Sequence, residues 1–225
     1  MRWDGPVANQ TALGPTHTRK DPGAYKFFKR VLDILASLFI IVIAAIPVFV
    51  VCIAISIESH GLPMFRQERV GKNGKPFRML KLRTMYADAE NNMERYFTPE
   101  QMAEWNTEHK VMDDPRVTRI GQFLRRTSHD ELPQFINVLL GQMSVVGPRP
   151  VTRVELEWYG DEVDEILSVR QGITGYWQAF ARNDATWESG ERQEMELYYV
   201  RNVSASLDAR IFFGTFGAIV GRTGR

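Results

Sequence analysis

The chain has 225 residues, 44% hydrophobic and 24% charged, with 28 basic side chains against 27 acidic ones. That composition can build a core and excludes a disordered chain, and a net charge of +1 gives no global case for nucleic acid. One cysteine, Cys52, excludes an intrachain disulfide, and His17, His60, His109 and His129 show no ligand spacing, which argues against a histidine or cysteine metal centre.

Residues 1–24 are polar and rich in glycine and proline, which predicts a flexible tail; no short apolar core follows within reach of a signal peptide. Tyr25 to Arg30 is basic and aromatic. Ile34 to Ile57 then gives 24 residues without a charge. As a straight helix that is roughly 36 Å, enough for a hydrocarbon core of about 30 Å. One transmembrane helix is the simple reading. Two features favour a helix that enters and leaves by one face. Pro47 sits near the middle of the run, and basic residues flank both ends: Lys26, Lys29 and Arg30 before it, Arg66, Arg69, Lys72 and Lys75 after it. The positive-inside rule wants both flanks on the cytoplasmic side. Asp33, at the mouth of the run, is expected to stay at the interface or find a cation. The expected organisation is a tail over 1–24, a membrane anchor over 25–60 broken near Pro47, and a folded domain over 61–225.

Met64 to Val70 and Phe77 to Leu82 flank Asn73-Gly74, a hairpin signal. Tyr86 to Val111 has helical composition. Asp113-Asp114-Pro115 ends it as a polar turn, although two aspartates also offer metal ligands. Val117 to Leu124 is weakly amphipathic. A further helix is expected to run from Asp130-Glu131 to Leu140, capped by Gly141. Met143 to Val146 reads as a short buried segment, 151–169 as an acidic helix, 171–175 as a tight loop and 176–182 as a strand. Glu191 to Val200 reads as a helix. The tail from Leu207 places Leu207, Ile211, Phe212, Phe216 and Ile219 on roughly one face, packed or, beside a membrane anchor, interfacial. The fold class is mostly α with a small β-hairpin.

Charge is segregated. Arg116 to Arg126 holds four arginines and no acid, a candidate anion site; Glu155 to Glu165 is acidic and reads as a solvated face. Between the basic block and Gly147-Pro148-Arg149-Pro150 lies Asp130-Glu131. Adjacent carboxylates can supply a nucleophile and a metal ligand. Equally, Ser128 and Glu131 fit a capping box ahead of an apolar helix. Pro133 resists that second reading, because it would delete a backbone bond inside the helix; either the helix starts later or it is kinked there. Arg149 between two prolines is either a preorganised phosphate clamp or a solvated turn arginine.

The strings Lys81-Leu82-Arg83-Thr84-Met85, Asp114-Pro115-Arg116-Val117-Thr118-Arg119-Ile120-Gly121, Ser128-His129-Asp130-Glu131-Leu132-Pro133-Gln134 and Gly147-Pro148-Arg149-Pro150 stand in this order. Gly172-Ile173-Thr174-Gly175, Trp177-Gln178, Arg182-Asn183 and Tyr199-Val200-Arg201-Asn202 follow. The whole resembles the bacterial sugar transferase family, monotopic polyprenyl-phosphate phosphoglycosyl transferases, from about Lys29 to the C-terminus. The resemblance implies transfer of a sugar 1-phosphate from a UDP-sugar to undecaprenyl phosphate with release of UMP. It implies Asp130 as the nucleophile that carries a phosphosugar intermediate, Glu131 as the Mg²⁺ ligand, and Lys81, Arg125, Arg149 and Arg182 as phosphate-binding or structural positions. It further implies a re-entrant membrane helix broken at Pro47, a compact cytoplasmic catalytic domain with interfacial amphipathic helices, and a place at the bacterial inner membrane. Expected partners are the donor, the lipid acceptor and membrane lipids, with a homodimer left open. The chain departs from the family pattern at His129, where leucine is usual, and at Ala179-Phe180-Ala181, which bears on the nucleotide or sugar pocket. Its layout is closest to exopolysaccharide initiators that transfer galactose 1-phosphate. A membrane-bound phosphohydrolase using Asp130, or a scaffold binding anionic lipid through Arg116 to Arg126, are the rival classes.

Overall fold

A computed structural model of the chain describes residues 22–108, 111, 113–181 and 189–220. Helix α1, Pro22–Ser59, runs as one element through Pro47. It is apolar nearly throughout and largely uncovered: Leu35, Phe39, Val42, Ile43, Ile46, Phe49 and Val50 are all exposed. Both of its ends are nevertheless tied to the same folded domain. At the first end, Arg30 donates to the carbonyls of Val138 and Leu139 at 2.7 and 3.0 Å. At the second, Ile55 is buried with Leu82 and Leu124.

Asp33 does not sit at an open interface or on a cation. It is 5% exposed and accepts hydrogen bonds from the Ser144 hydroxyl at 2.8 Å and the Val145 N–H at 3.0 Å. Neutral donors of a neighbouring strand edge thus satisfy a carboxylate that the apolar run could not.

The hairpin forms as its turn signal requires. Strand β1, Met64–Val70, pairs antiparallel with β2, Pro76–Leu82, in the register Phe65 to Lys81 and Arg69 to Phe77. Asn73 and Gly74 take φ of 57° and 75°, which asparagine and glycine tolerate best. The expected helix over 86–111 is instead two pieces, α2, Met93–Tyr96, and α3, Pro99–Glu108, after a run of turns. Pro99 starts α3, a position where its missing N–H costs nothing. Asp113 takes a positive φ, and Asp114 grips Arg116 at 2.6 Å, so this is a turn rather than a metal site.

Helix α4, Arg119–Thr127, leads through a 3-10 turn, His129–Glu131, to α5, Gln134–Leu139. Gly141, with φ of 77°, closes α5 as expected. Strand β3, Ser144–Val146, pairs in parallel with β4, Gly172–Thr174, where a loop was expected. The acidic stretch is a 3-10 segment, Glu155–Glu162, kinked at Gly160, followed by α6, Val163–Ile166. Its face is only partly solvated: Glu155 pairs with Arg69, while Glu162 and Glu165 pair with Arg201. Residues expected as a strand form α7, Tyr176–Phe180, which packs on α9. Helices α8, Glu191–Arg201, and α9, Ala205–Val220, complete the domain. Leu197, Tyr199, Leu207 and Ile211 from these two helices join Val146, Val151 and Ile166 in the main core. Each fully buried aliphatic side chain there contributes roughly 1.5–3 kcal/mol. Phe212 and Phe213 face outward from α9, so the tail helix is both core element and exposed apolar surface.

Candidate active site

The site is built where α4 stops. Thr118 caps α4, its hydroxyl accepting the Gly121 N–H at 3.0 Å. A second cap comes from α1: Glu58 accepts the N–H groups of Arg119 and Ile120 at 2.9 and 3.0 Å. A carboxylate on exposed N–H groups at a helix N-terminus is favourable both as hydrogen bond and as countercharge. At the other end Ser128 adopts φ of 56°, a left-handed conformation that breaks the helix. Ser128 makes no side-chain cap, so the capping-box reading of Ser128 and Glu131 fails. Asp130 and Glu131 stand instead on the short 3-10 turn, and Pro133 is the N-cap of α5; the helix starts later.

Strand β2 lies alongside. Asn137 of α5, 1% exposed, accepts the Leu80 N–H at 3.0 Å and donates to the Arg78 carbonyl at 2.8 Å, fastening the helix to the strand. That strap sets Lys81 against the dyad: its ammonium is 3.2 Å from Glu131 Oε1. Arg125, one turn before the break, donates through Nε to the Thr84 hydroxyl at 2.9 Å and acts on Asp130 through its charge. Burial and then the Glu131 charge push the Asp130 carboxyl above the usual aspartate range, with Lys81 and Arg125 opposing them. Asp130, Glu131, Lys81 and Arg125 therefore form one cluster, two carboxylates against two cations. Like charges held together at the rim of two cations suit a divalent ion and phosphate oxygens. A site for Mg²⁺ needs only one or two protein carboxylates when substrate phosphates supply the rest, so Glu131 beside Asp130 fits that ion.

Arg149 lies elsewhere and belongs to a second group: its backbone N–H donates to Glu196 at 3.2 Å, and its guanidinium stands 5.9 Å from the Trp177 ring, with that of Arg192 at 4.0 Å. Arg182 lies outside the described residues. Arg116 is not available to an anion; it is 3% exposed, paired with Asp114 and set against the rings of Phe97 and Trp105. The basic block thus contributes Arg125 to the site and gives Arg116 to the framework. Sequence reasoning missed Glu58, Asn137 and Glu196. Glu58 and Glu196 sit inside helices, and the role of all three depends on contacts 47 or more residues away, as the 47-residue span from Arg149 to Glu196 shows.

Comparison with known proteins agrees with the motifs. The family model of the bacterial sugar transferases matches residues 24–222. The UDP-galactose-lipid carrier transferase of Erwinia amylovora is 41% identical over 201 residues, 88% of this chain and 42% of that protein. The exopolysaccharide production protein ExoY of Rhizobium meliloti (strain 1021) is 36% identical over 219 residues, 94% of this chain and 96% of that one. The UDP-glucose:undecaprenyl-phosphate glucose-1-phosphate transferase of Escherichia coli (strain K12) is 34% identical over 213 residues, 92% of this chain and 43% of that protein. The chain therefore spans less than half of the first and third of these relatives and nearly all of the second.

Proposed function

The chain belongs to the bacterial sugar transferase family, and from that premise we propose that it transfers a sugar 1-phosphate from a UDP-sugar to undecaprenyl phosphate, the first step of an exopolysaccharide or related glycoconjugate. The observation that carries this reading is the cluster of Asp130, Glu131, Lys81 and Arg125 on a domain to which both ends of an exposed apolar helix are fastened. The names of the relatives from Erwinia and Escherichia, which speak of a UDP-sugar donor and a lipid carrier or undecaprenyl phosphate, support it.

In the first step a carboxylate oxygen of Asp130 attacks the sugar-bearing phosphorus of the donor. A P–O bond forms to Asp130, and the bond to the UMP oxygen breaks with its electron pair. In the second step a phosphate oxygen of the lipid attacks the same phosphorus and returns Asp130 as carboxylate. Lys81 and Arg125 lower the repulsion between the Asp130 carboxylate and the anionic donor, and stabilise charge on the departing phosphate. Glu131 would hold Mg²⁺, which supplies further charge neutralisation when bound. The acid range in which Asp130 is neutral extends upward because burial and Glu131 disfavour its charge, so the two cations also keep the nucleophile ionised.

The acceptor phosphate lies at the headgroup plane. A helix that enters and leaves by the cytoplasmic face, bending at Pro47, keeps the dyad at that plane. The attachment of both ends of α1 to one domain supports this, as do the outward Phe123, Ile136, Phe212 and Phe213 of α4, α5 and α9 and Leu140 just after α5. The test is UMP release in a screen of UDP-galactose, UDP-glucose and their N-acetyl analogues with polyprenyl phosphate and Mg²⁺. Release beyond one equivalent per enzyme that requires the lipid supports a transferase; such multiple turnover without lipid points to a phosphohydrolase; no release with any donor leaves the lipid-binding scaffold.

A further inference from the structure

Glu196 has no part in the chemistry above, yet it is 1% exposed on α8. Its Oε2 accepts the Arg149 N–H at 3.2 Å, while Oε1 has no hydrogen-bond partner among the described residues. The carboxyl sits at a tight seam. A Cβ on Gly175 would fall 2.5 Å from the Gly147 carbonyl and 3.4 Å from Glu196 Oε2, so the loops before Arg149 and after β4 close directly over the acid. Charged and titratable neighbours come from each side: Arg149 from the loop after β3, Arg192 from α8 itself and Tyr159 from the 3-10 segment, with Glu155 beside Arg192 and Arg69 of β1 beside Arg149.

Burial with one unsatisfied oxygen disfavours the charged form of a carboxyl. An amide or hydroxyl would satisfy the same N–H more cheaply, so the acid needs a reason. Burial pushes Glu196 up to about 7, against the pull of the Arg149 N–H and the two guanidiniums. Its charge is therefore close to a balance point.

We infer that Glu196 is a positioning residue for Arg149, fixing the Pro148-Arg149-Pro150 loop through the backbone N–H and giving up its negative charge when a substrate phosphate reaches that arginine. This rests on the proposed sugar-phosphate transfer and on the phosphate-binding role that the family resemblance implies for Arg149. With the site empty, an ionised Glu196 offsets the charge of Arg149 and Arg192. An arriving phosphate competes for both and repels the carboxylate, so binding takes up a proton. The sign follows: the protonated form binds donor better, so donor affinity is highest below pH 7 and falls above it.

The test is the pH dependence of KM and kcat for whichever UDP-sugar supports turnover, in wild type, Glu196→Gln and Glu196→Leu. Both donor phosphates are diesters and do not titrate in this range. Wild-type KM is expected to rise about tenfold between pH 6 and pH 8, the ratio of neutral fractions of a group with pKa about 7. Glu196→Gln keeps an acceptor for the Arg149 N–H, so it should retain kcat and show a flat KM near the wild-type value at pH 6. Glu196→Leu should lose kcat at every pH without recovery in acid. A Gln variant whose KM keeps the wild-type pH dependence, or a wild type with flat KM, overturns this inference while leaving the transferase reading intact. Absence of turnover with every UDP-sugar overturns both.

Discussion

Gly121→Ala probes how the site is held. Gly121 lies in α4, where the helix presses on the segment after β2, and a Cβ there would stand 2.0 Å from the Thr84 carbonyl oxygen and 2.7 Å from its carbon. Ordinary contact begins at 3.4 Å, so helix and segment must separate by about 1.4 Å. Neither side yields easily. The Thr84 carbonyl accepts the Thr118 N–H at 3.0 Å, and Tyr86 N–H donates to the Arg116 carbonyl at 3.0 Å. Thr84 also takes the Arg125 guanidinium at 2.9 Å, so the shift carries Arg125 and the 3-10 turn away from Lys81. A misplacement of about 1 Å near reacting groups can cost on the order of 100-fold in rate. Overpacking of this kind costs about 1–3 kcal/mol. Two effects compete, since alanine is the better helix former by about 1 kcal/mol. The clash is with backbone and should win. The expected outcome is a melting temperature lower by a few degrees and UMP release down by about 100-fold. A Gly121→Ala variant that melts at or above wild type, with wild-type turnover, refutes the packing argument.

Three further outcomes are expected. Glu58→Ala should destabilise by about 1 kcal/mol, read as a lower melting temperature, because two N–H groups at the start of α4 lose their acceptor; Glu58→Gln should recover part of it. The acid limb of kcat/KM should lie above the ordinary aspartate value of about 3.9, since transfer needs Asp130 ionised and its pKa is raised; Lys81→Met should move that limb further up, because Lys81 is an opposing charge. Lys20→Cys and Asn91→Cys, each in a Cys52→Ser background, should both resist a membrane-impermeant thiol reagent in whole cells, whereas labelling at residue 20 alone would establish a transmembrane topology.

Local chemistry made some elements legible. Asn73-Gly74 announced the hairpin, and the apolar run announced α1. Gly141 marked the end of α5. Elements that depend on distant partners were not legible. Gly172-Ile173-Thr174 becomes a strand only because β3 lies beside it. Tyr176 to Phe180 has the aromatic composition of a strand, yet Phe180 lies against Gly214 of α9, and packing there selects a helix. Ser128 shows how a local pattern misleads. Its spacing to Glu131 fits a capping box, but the chain turns left-handed at Ser128 and the dyad is presented on the turn that follows. The site shows the same division. Asp130, Glu131, Lys81 and Arg125 were nameable from their motifs, whereas their convergence depends on Asn137 fastening α5 to β2. The equal standing of Arg116 and Arg125 in one basic block concealed opposite fates. Asp114, Phe97 and Trp105 take the first into the framework, leaving the second for the site.

The most direct test of the central claim is mass spectrometry of the protein after incubation with a turnover-competent UDP-sugar and Mg²⁺ but no lipid acceptor. A phosphosugar adduct is expected on the peptide containing Asp130, discharged by polyprenyl phosphate and absent in Asp130→Asn, which keeps the fold but loses the nucleophile. An Asp130→Asn protein that transfers at the wild-type rate, or an adduct on another residue, contradicts it.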